Sequence, residues 1–101
     1  MVEFDRTINQ SEAKSCYLNL SDNLGHHFGQ DFGFPHLTRI AVVDDEGRVT
    51  YTQMHHTNQL WGSLKNWYID NHADDGTHIH VRFYPEERRD GLPVLHFTLE
   101  H

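Results

Sequence analysis

Residues 77–84 and 93–99 alternate apolar and polar side chains with a period of two, a pattern that no helix can bury on one side. In the first stretch Ile79, Val81 and Phe83 fall on one face, with His78, His80, Arg82 and Tyr84 opposite. In the second, Leu95, Phe97 and Leu99 oppose Val94, His96 and Thr98. Successive side chains of a strand point to opposite faces, so each stretch reads as a strand with one face on a core. A sheet wetted on one side is the common condition of antiparallel pairing.

The strongest remaining signal is a hairpin. Residues 37–43 are apolar and β-branched, Asp44-Asp45-Glu46-Gly47 is turn chemistry, and residues 48–54 form a second strand. Gly47 sits where such a turn needs a positive φ. The near-continuous run Ile40-Ala41-Val42-Val43 predicts a strand covered on both faces, central to the sheet. Near the N-terminus Val2, Phe4 and Ile8 alternate loosely, and Cys16, Leu18 and Leu20 oppose Tyr17. These read as two strands joined by an exposed polar arm, residues 9–15.

Ser21-Asp22-Asn23 is cap or turn chemistry, with a single helical turn over 22–28. Residues 25–35 form a glycine- and phenylalanine-rich loop whose rings plug one end of the core. Further on, Leu60, Trp61, Leu64, Trp67 and Tyr68 recur at helical spacing, predicting a helix over about residues 58–71 capped by Thr57 or Asn58. Residues 86–91 read as a charged loop. The fold class expected is α+β: a mostly antiparallel curved sheet or open pseudobarrel with one long amphipathic helix.

At 101 residues the chain holds one core, so residues 1–101 are read as a single domain. Leu99-Glu100-His101 resembles the start of a vector-encoded tail and is set aside from functional reasoning. One cysteine, Cys16, permits no intrachain disulfide and suits a reducing compartment. The charged segment Val2-Glu3-Phe4-Asp5-Arg6 is no signal peptide, and no run approaches the roughly 20 apolar residues of a membrane span. The expectation is a cytoplasmic protein without membrane association.

No Gly-x-Ser-x-Gly, Walker loop or His-Glu-x-x-His occurs, so a non-enzymatic domain without cofactor is expected. Ten histidines raise the question of metal. His78, His80 and His96 share one sheet face, but Arg82 would repel a divalent ion there. No carboxylate is expected on that face to orient the rings, and no native metal site is assigned. Two readings of His78, His80, Arg82, Tyr84 and His96 stay open: an ordinary solvated face, or a recognition face for an anion or a base plane.

Charge bears on partners. Fifteen acids against eight bases leave −7 with histidine neutral. Affinity for DNA comes largely from phosphate neutralisation, so the bases would have to gather on one face. At pH ~6 about three-quarters of the histidines carry a proton, which brings the chain near neutrality. Two readings of Arg6, Asn9, Gln10 and Lys14 in the polar arm stay open: a solvated connection, or a nucleic-acid arm in which Asn and Gln read adenine and Arg reads guanine or phosphate.

The layout of the whole chain resembles the B3-like pseudobarrel DNA-binding domains. The resemblance is carried by Arg6-Thr7-Ile8, Ser15-Cys16-Tyr17-Leu18-Asn19-Leu20, Phe34-Pro35, the pattern Leu60-Trp61-x-x-Leu64-x-x-Trp67-Tyr68, and Asp75-Gly76-Thr77-x-Ile79-x-Val81. Members of that family grip the DNA major groove with two arms. The resemblance places the arms at residues 6–15 and at Gln53, His55, His56 and Thr57, with Arg6, Asn9, Gln10, Lys14, Gln53, His55 and His56 as contacts. The alternatives are a protein-interaction or regulatory module with a protein partner or self-association, and a small-ligand or metal-binding barrel.

Overall fold

In the computed structural model, described over residues 1–20, 28–56 and 58–100, the strands form one curled seven-stranded sheet, an open half-barrel. The strands are β1 (Val2–Thr7), β2 (Leu18–Asn19), β3 (Arg39–Val43), β4 (Val49–His55), β5 (Gln59–Trp61), β6 (His78–Arg89) and β7 (Leu92–Glu100). Their order is β1-β6-β7-β3-β4-β5-β2. Among the described residues only the β3–β7 pair is parallel. The expected α+β class holds, with the sheet mixed.

The period-two stretches behave as their pattern dictates. Ile79, Val81 and Phe83 are buried on the inner face, and Leu95 and Phe97 pair beside them from β7. His78, His80 and Arg82 are more exposed than their apolar neighbours. β3 lies between β7 and β4, and Ile40, Ala41 and Val42 are fully buried, as a doubly covered strand requires. The β3–β4 turn has Gly47 at φ +78°. Residues 86–89 depart from the expected loop: they prolong β6 past a bulge between Phe83 and Arg88. The chain reverses at Asp90-Gly91, both at positive φ, the geometry of a tight primed turn.

The long helix over 58–71 is corrected. β5 occupies its first turn, Gly62 (φ +88°) and Ser63 (φ +58°) break the chain's direction, and only α3 (Leu64–Asp70) is helical. Leu60 points inward from a strand, and Leu64, Trp67 and Tyr68 point inward from the helix. The inward positions on both sides of the break thus mimic one helical stripe. Trp61, the next residue along the strand, points outward and is half-buried. Thr57, offered as a cap, lies outside the described residues.

The polar arm is also corrected. Residues 10–15 form a helix, α1 (Gln10–Ser15), opened by a capping box in which Asn9 accepts from the Glu12 N–H and Glu12 accepts from the Asn9 N–H. Cys16 ends it in the left-handed region rather than lying in a strand. A third helix, α2 (Phe28–Phe32), carries Phe28 and Phe32 onto Phe83, with Phe34 beside them, so these rings do plug one end of the core. The cap reading at Ser21-Asp22-Asn23 lies outside the described residues. Leu99 and Glu100, set aside as vector-like, pair with Ile79 and His78.

Candidate nucleic-acid interface

Cross-strand register decides which side chains share the outer face of the sheet, because directly paired residues point the same way. On the β3–β4–β5 side this builds the row Arg39–Gln53–Trp61, with the pair His55–Gln59 at one flank. Trp61 stacks on Tyr17 with ring centroids 4.4 Å apart and planes within 4°. Its indole N–H donates to Gln59 Oε1 at 2.9 Å, which fixes the ring. Arg39 lies 5.8 Å from the centre of the Tyr51 ring, while the Tyr51 hydroxyl donates to Asp90. That bond raises the Tyr51 pKa.

Trp61 stands between two shallow hollows. One, of about 380 Å³, is lined by Lys14, Ser15, Cys16, Gly62, Ser63 and Lys65. The other, of about 220 Å³, is lined by Arg39, Tyr51, Gln53 and Ser63. Among the described residues, Lys14, Lys65 and Arg39 make no ion pair. Beyond the β4 end, His55 and His56 gather with His36. The His56 N–H donates to His36 Nδ1 at 3.0 Å, and the His36 ring lies 5.2 Å from His55 and 5.4 Å from His56.

Four of the seven contacts expected from the arms therefore fall on or beside this face: Lys14, Gln53, His55 and His56. The other three line neither hollow. Arg6 pairs with Ile79 and so faces the inner side of β1, where its guanidinium donates to the fully buried Glu12 at 2.6 Å. Glu12 also accepts from the Asn19 N–H, tying β1, α1 and β2 together. Asn9 is committed as the helix cap, and Gln10 begins α1 on an exposed turn. Arg6 and Asn9 are thus structural. In the order of the sheet, β1 and β4 are separated by β6, β7 and β3.

The histidine face on β6 and β7 is outward, as expected, but carboxylates occupy it. β1 supplies Glu3 opposite Arg82 and Asp5 opposite His80. His80 bonds Asp5 at 2.6 Å through Nδ1 and Glu3 at 2.8 Å through Nε2. The Asp5 and Glu3 bonds raise the His80 pKa, and the His80 bond lowers that of Asp5. Its hydrogen bond to Asp5 raises the Glu100 pKa. His96 bonds Glu87 at 2.6 Å, His78 shares a 2.7 Å bond with Thr7, and Tyr84 packs edge-on against His96. The three imidazoles do not converge on one point. Asp5, His80 and Glu100 instead place ligand atoms within 4.8 Å of one another in an ion-pair cluster. An anion meets fixed negative charge there.

The acidic β3–β4 turn lies at the far end of β4 from His55. Asp44 is no loose tip residue: it is buried and accepts from Arg48 and Asn71. Burial opposes its charge, but the Arg48 and Asn71 bonds outweigh burial and lower its pKa. Asp45 and Glu46 border a separate cleft with Asp70 and Glu100.

The fold has a counterpart. A solved structure of a hypothetical Arabidopsis thaliana protein superposes with a TM-score of 0.63, covering 98% of this chain and 89% of that one. The two sequences are 14% identical. The half-barrel is a shared fold. No protein-family model matches the chain, and no curated relative matches it. No helix among the described residues is long and apolar enough to cross a membrane.

Arg39, Tyr51, Trp61, Tyr17 and Lys65 are residues of this face that the sequence did not single out for binding. For two of them, Tyr51 and Arg39, a signal existed. Tyr51, Gln53 and His55 alternate with Thr52 and Met54, the same period-two pattern that revealed β6 and β7. Reading β4 that way puts an aromatic ring beside Gln53, and pairing it with β3 adds Arg39.

Proposed function

We propose that the chain is a non-enzymatic nucleic-acid-binding domain, a barrel of the B3-like type, acting in a reducing cytoplasmic setting. It binds through the outer face of β3, β4 and β5 together with the C-terminal end of α1. The observation that supports this most is the stacked Tyr17–Trp61 pair flanked by Lys14, Lys65 and Arg39, none of them ion-paired among the described residues. Half-buried rings offer base contacts, and unpaired cations offer phosphate contacts. A chain of net charge −7 needs its bases gathered in this way.

Fluorescence anisotropy with a mixture of duplex and single-stranded oligonucleotides at about pH 6 and low salt tests the reading. Salt-sensitive binding that weakens toward about pH 8 is expected. No binding at tens of micromolar under those conditions, together with a dimer mass on size exclusion, would favour the interaction-module reading instead.

A further inference from the structure

The hollow beside Trp61 has the chemistry of a base pocket. Arg39, Gln53 and Trp61 are direct cross-strand partners, so their side chains rise together from one row of the sheet. Tyr51 and Trp61 contribute aromatic surface, and Ser63 closes the rim. Among the described residues neither the Gln53 amide nor the Arg39 guanidinium has a hydrogen-bond partner, and Arg39 is held over Tyr51. The Gln amide matches the adenine N6–N7 edge, and the Arg fork matches the guanine O6–N7 edge. At about 220 Å³ the hollow falls below the roughly 300 Å³ at which drug-sized pockets begin, so it suits one planar ring system.

We infer that this hollow takes one unpaired purine base, and that single-stranded nucleic acid is therefore preferred over duplex at this face. The inference rests on the nucleic-acid reading above and adds the form of the ligand. In a duplex, neighbouring pairs cover both faces of each base, so a base reaches Trp61 only by leaving the stack, which costs unstacking and unpairing energy. Stacking on an aromatic ring needs no net positive charge on the protein. That suits a chain with eight bases, of which Arg6 and Arg48 are tied to Glu12 and Asp44.

The experiment compares a labelled adenine-rich single strand with the duplex formed from it and its complement. Anisotropy and intrinsic tryptophan fluorescence are read together on the wild-type chain. Trp67 is buried and Trp61 half-buried, so quenching reports Trp61. The expected result is single-strand binding about tenfold or more tighter than duplex, with quenching. Gln53→Ala should weaken the adenine-rich strand by roughly fivefold or more and a thymine-only strand less. Gln53 is a sheet-surface position, so this variant keeps the test open if Trp61→Ala does not fold. Duplex bound as tightly as single strand, or an adenine-rich strand indifferent to Gln53→Ala, overturns the base pocket and leaves the nucleic-acid reading standing. Binding of neither form overturns both.

Discussion

The outer face of the sheet has two halves built from similar residue types, and they work differently. On β1, β6 and β7, histidines are held by acids: His80 by Asp5 and Glu3, and His96 by Glu87, while Arg82 lies opposite Glu3 in register without an ion pair among the described residues. On β3, β4 and β5, Arg39, Gln53 and Trp61 stand in a row in which no residue is an acid, and Asp90 meets only the edge of it through Tyr51. A cation beside a carboxylate is already neutralised and stabilises the fold a little; a cation without one is available to a ligand. The neighbours of a basic residue therefore say more about its role than the residue does. Ten histidines draw attention to β6, and the strand beside it places Glu3 and Asp5 opposite Arg82 and His80.

The largest expected effect separates structural arginine from binding arginine. Glu12 is fully buried and holds Arg6, the α1 cap and the start of β2. Removing it leaves a cation without its partner at the inner face, so Glu12→Ala should cost about 3–5 kcal/mol in urea melts. Arg6→Ala should also destabilise, yet its folded fraction should bind nucleic acid as wild type does. Weaker binding at unchanged stability would return Arg6 to the interface.

Next in size is the packing beneath both halves. Leu64 is fully buried at the start of α3, and Leu64→Ala should cost about 2–5 kcal/mol, read in the same melts. A loss below about half a kcal/mol is what a surface position gives, and would mean that α3 does not pack as described.

Smaller effects distinguish the halves directly. Lys14→Ala and Lys65→Ala should each leave stability within about 0.5 kcal/mol and reduce the salt dependence of binding by about one ion. On the other half, the raised pKa of His80 links stability to pH. The extra stability is fully present below the unfolded value of about 6.5 and is lost as pH rises through the folded value. Thermal melts should therefore show a decline across that window that His80→Gln flattens, with nucleic-acid binding unchanged.

How far the sequence reached follows from where its information is local. Strand alternation is local, so β6 and β7 were legible residue by residue, and the apolar run of β3 placed it at the centre. The helix at 58–71 failed because Leu60 and Leu64 both face inward, one from a strand and one from a helix. Only Gly62 and Ser63 between them mark the break, through positive φ. α1 had a readable cap in Asn9-x-x-Glu12, hidden by treating the polar run as solvated arm. For the site, Lys14, Gln53, His55 and His56 were within reach. The Arg39–Gln53–Trp61 row and the Asp5–His80 pair depend on register between strands far apart in the chain, which no local pattern carries.

The central claim is that binding belongs to one half of the face, and two arginines of equal charge test it. Arg39 lies on β3 beside Gln53, and Arg82 lies on β6 between Glu3 and His96. Arg39→Ala and Arg82→Ala should be compared by anisotropy over a salt series with the same oligonucleotide. The account predicts that Arg39→Ala weakens binding by about 1–3 kcal/mol or lowers the salt slope by about one, while Arg82→Ala changes neither. Equal losses from the two, or a loss from Arg82→Ala alone, would contradict it.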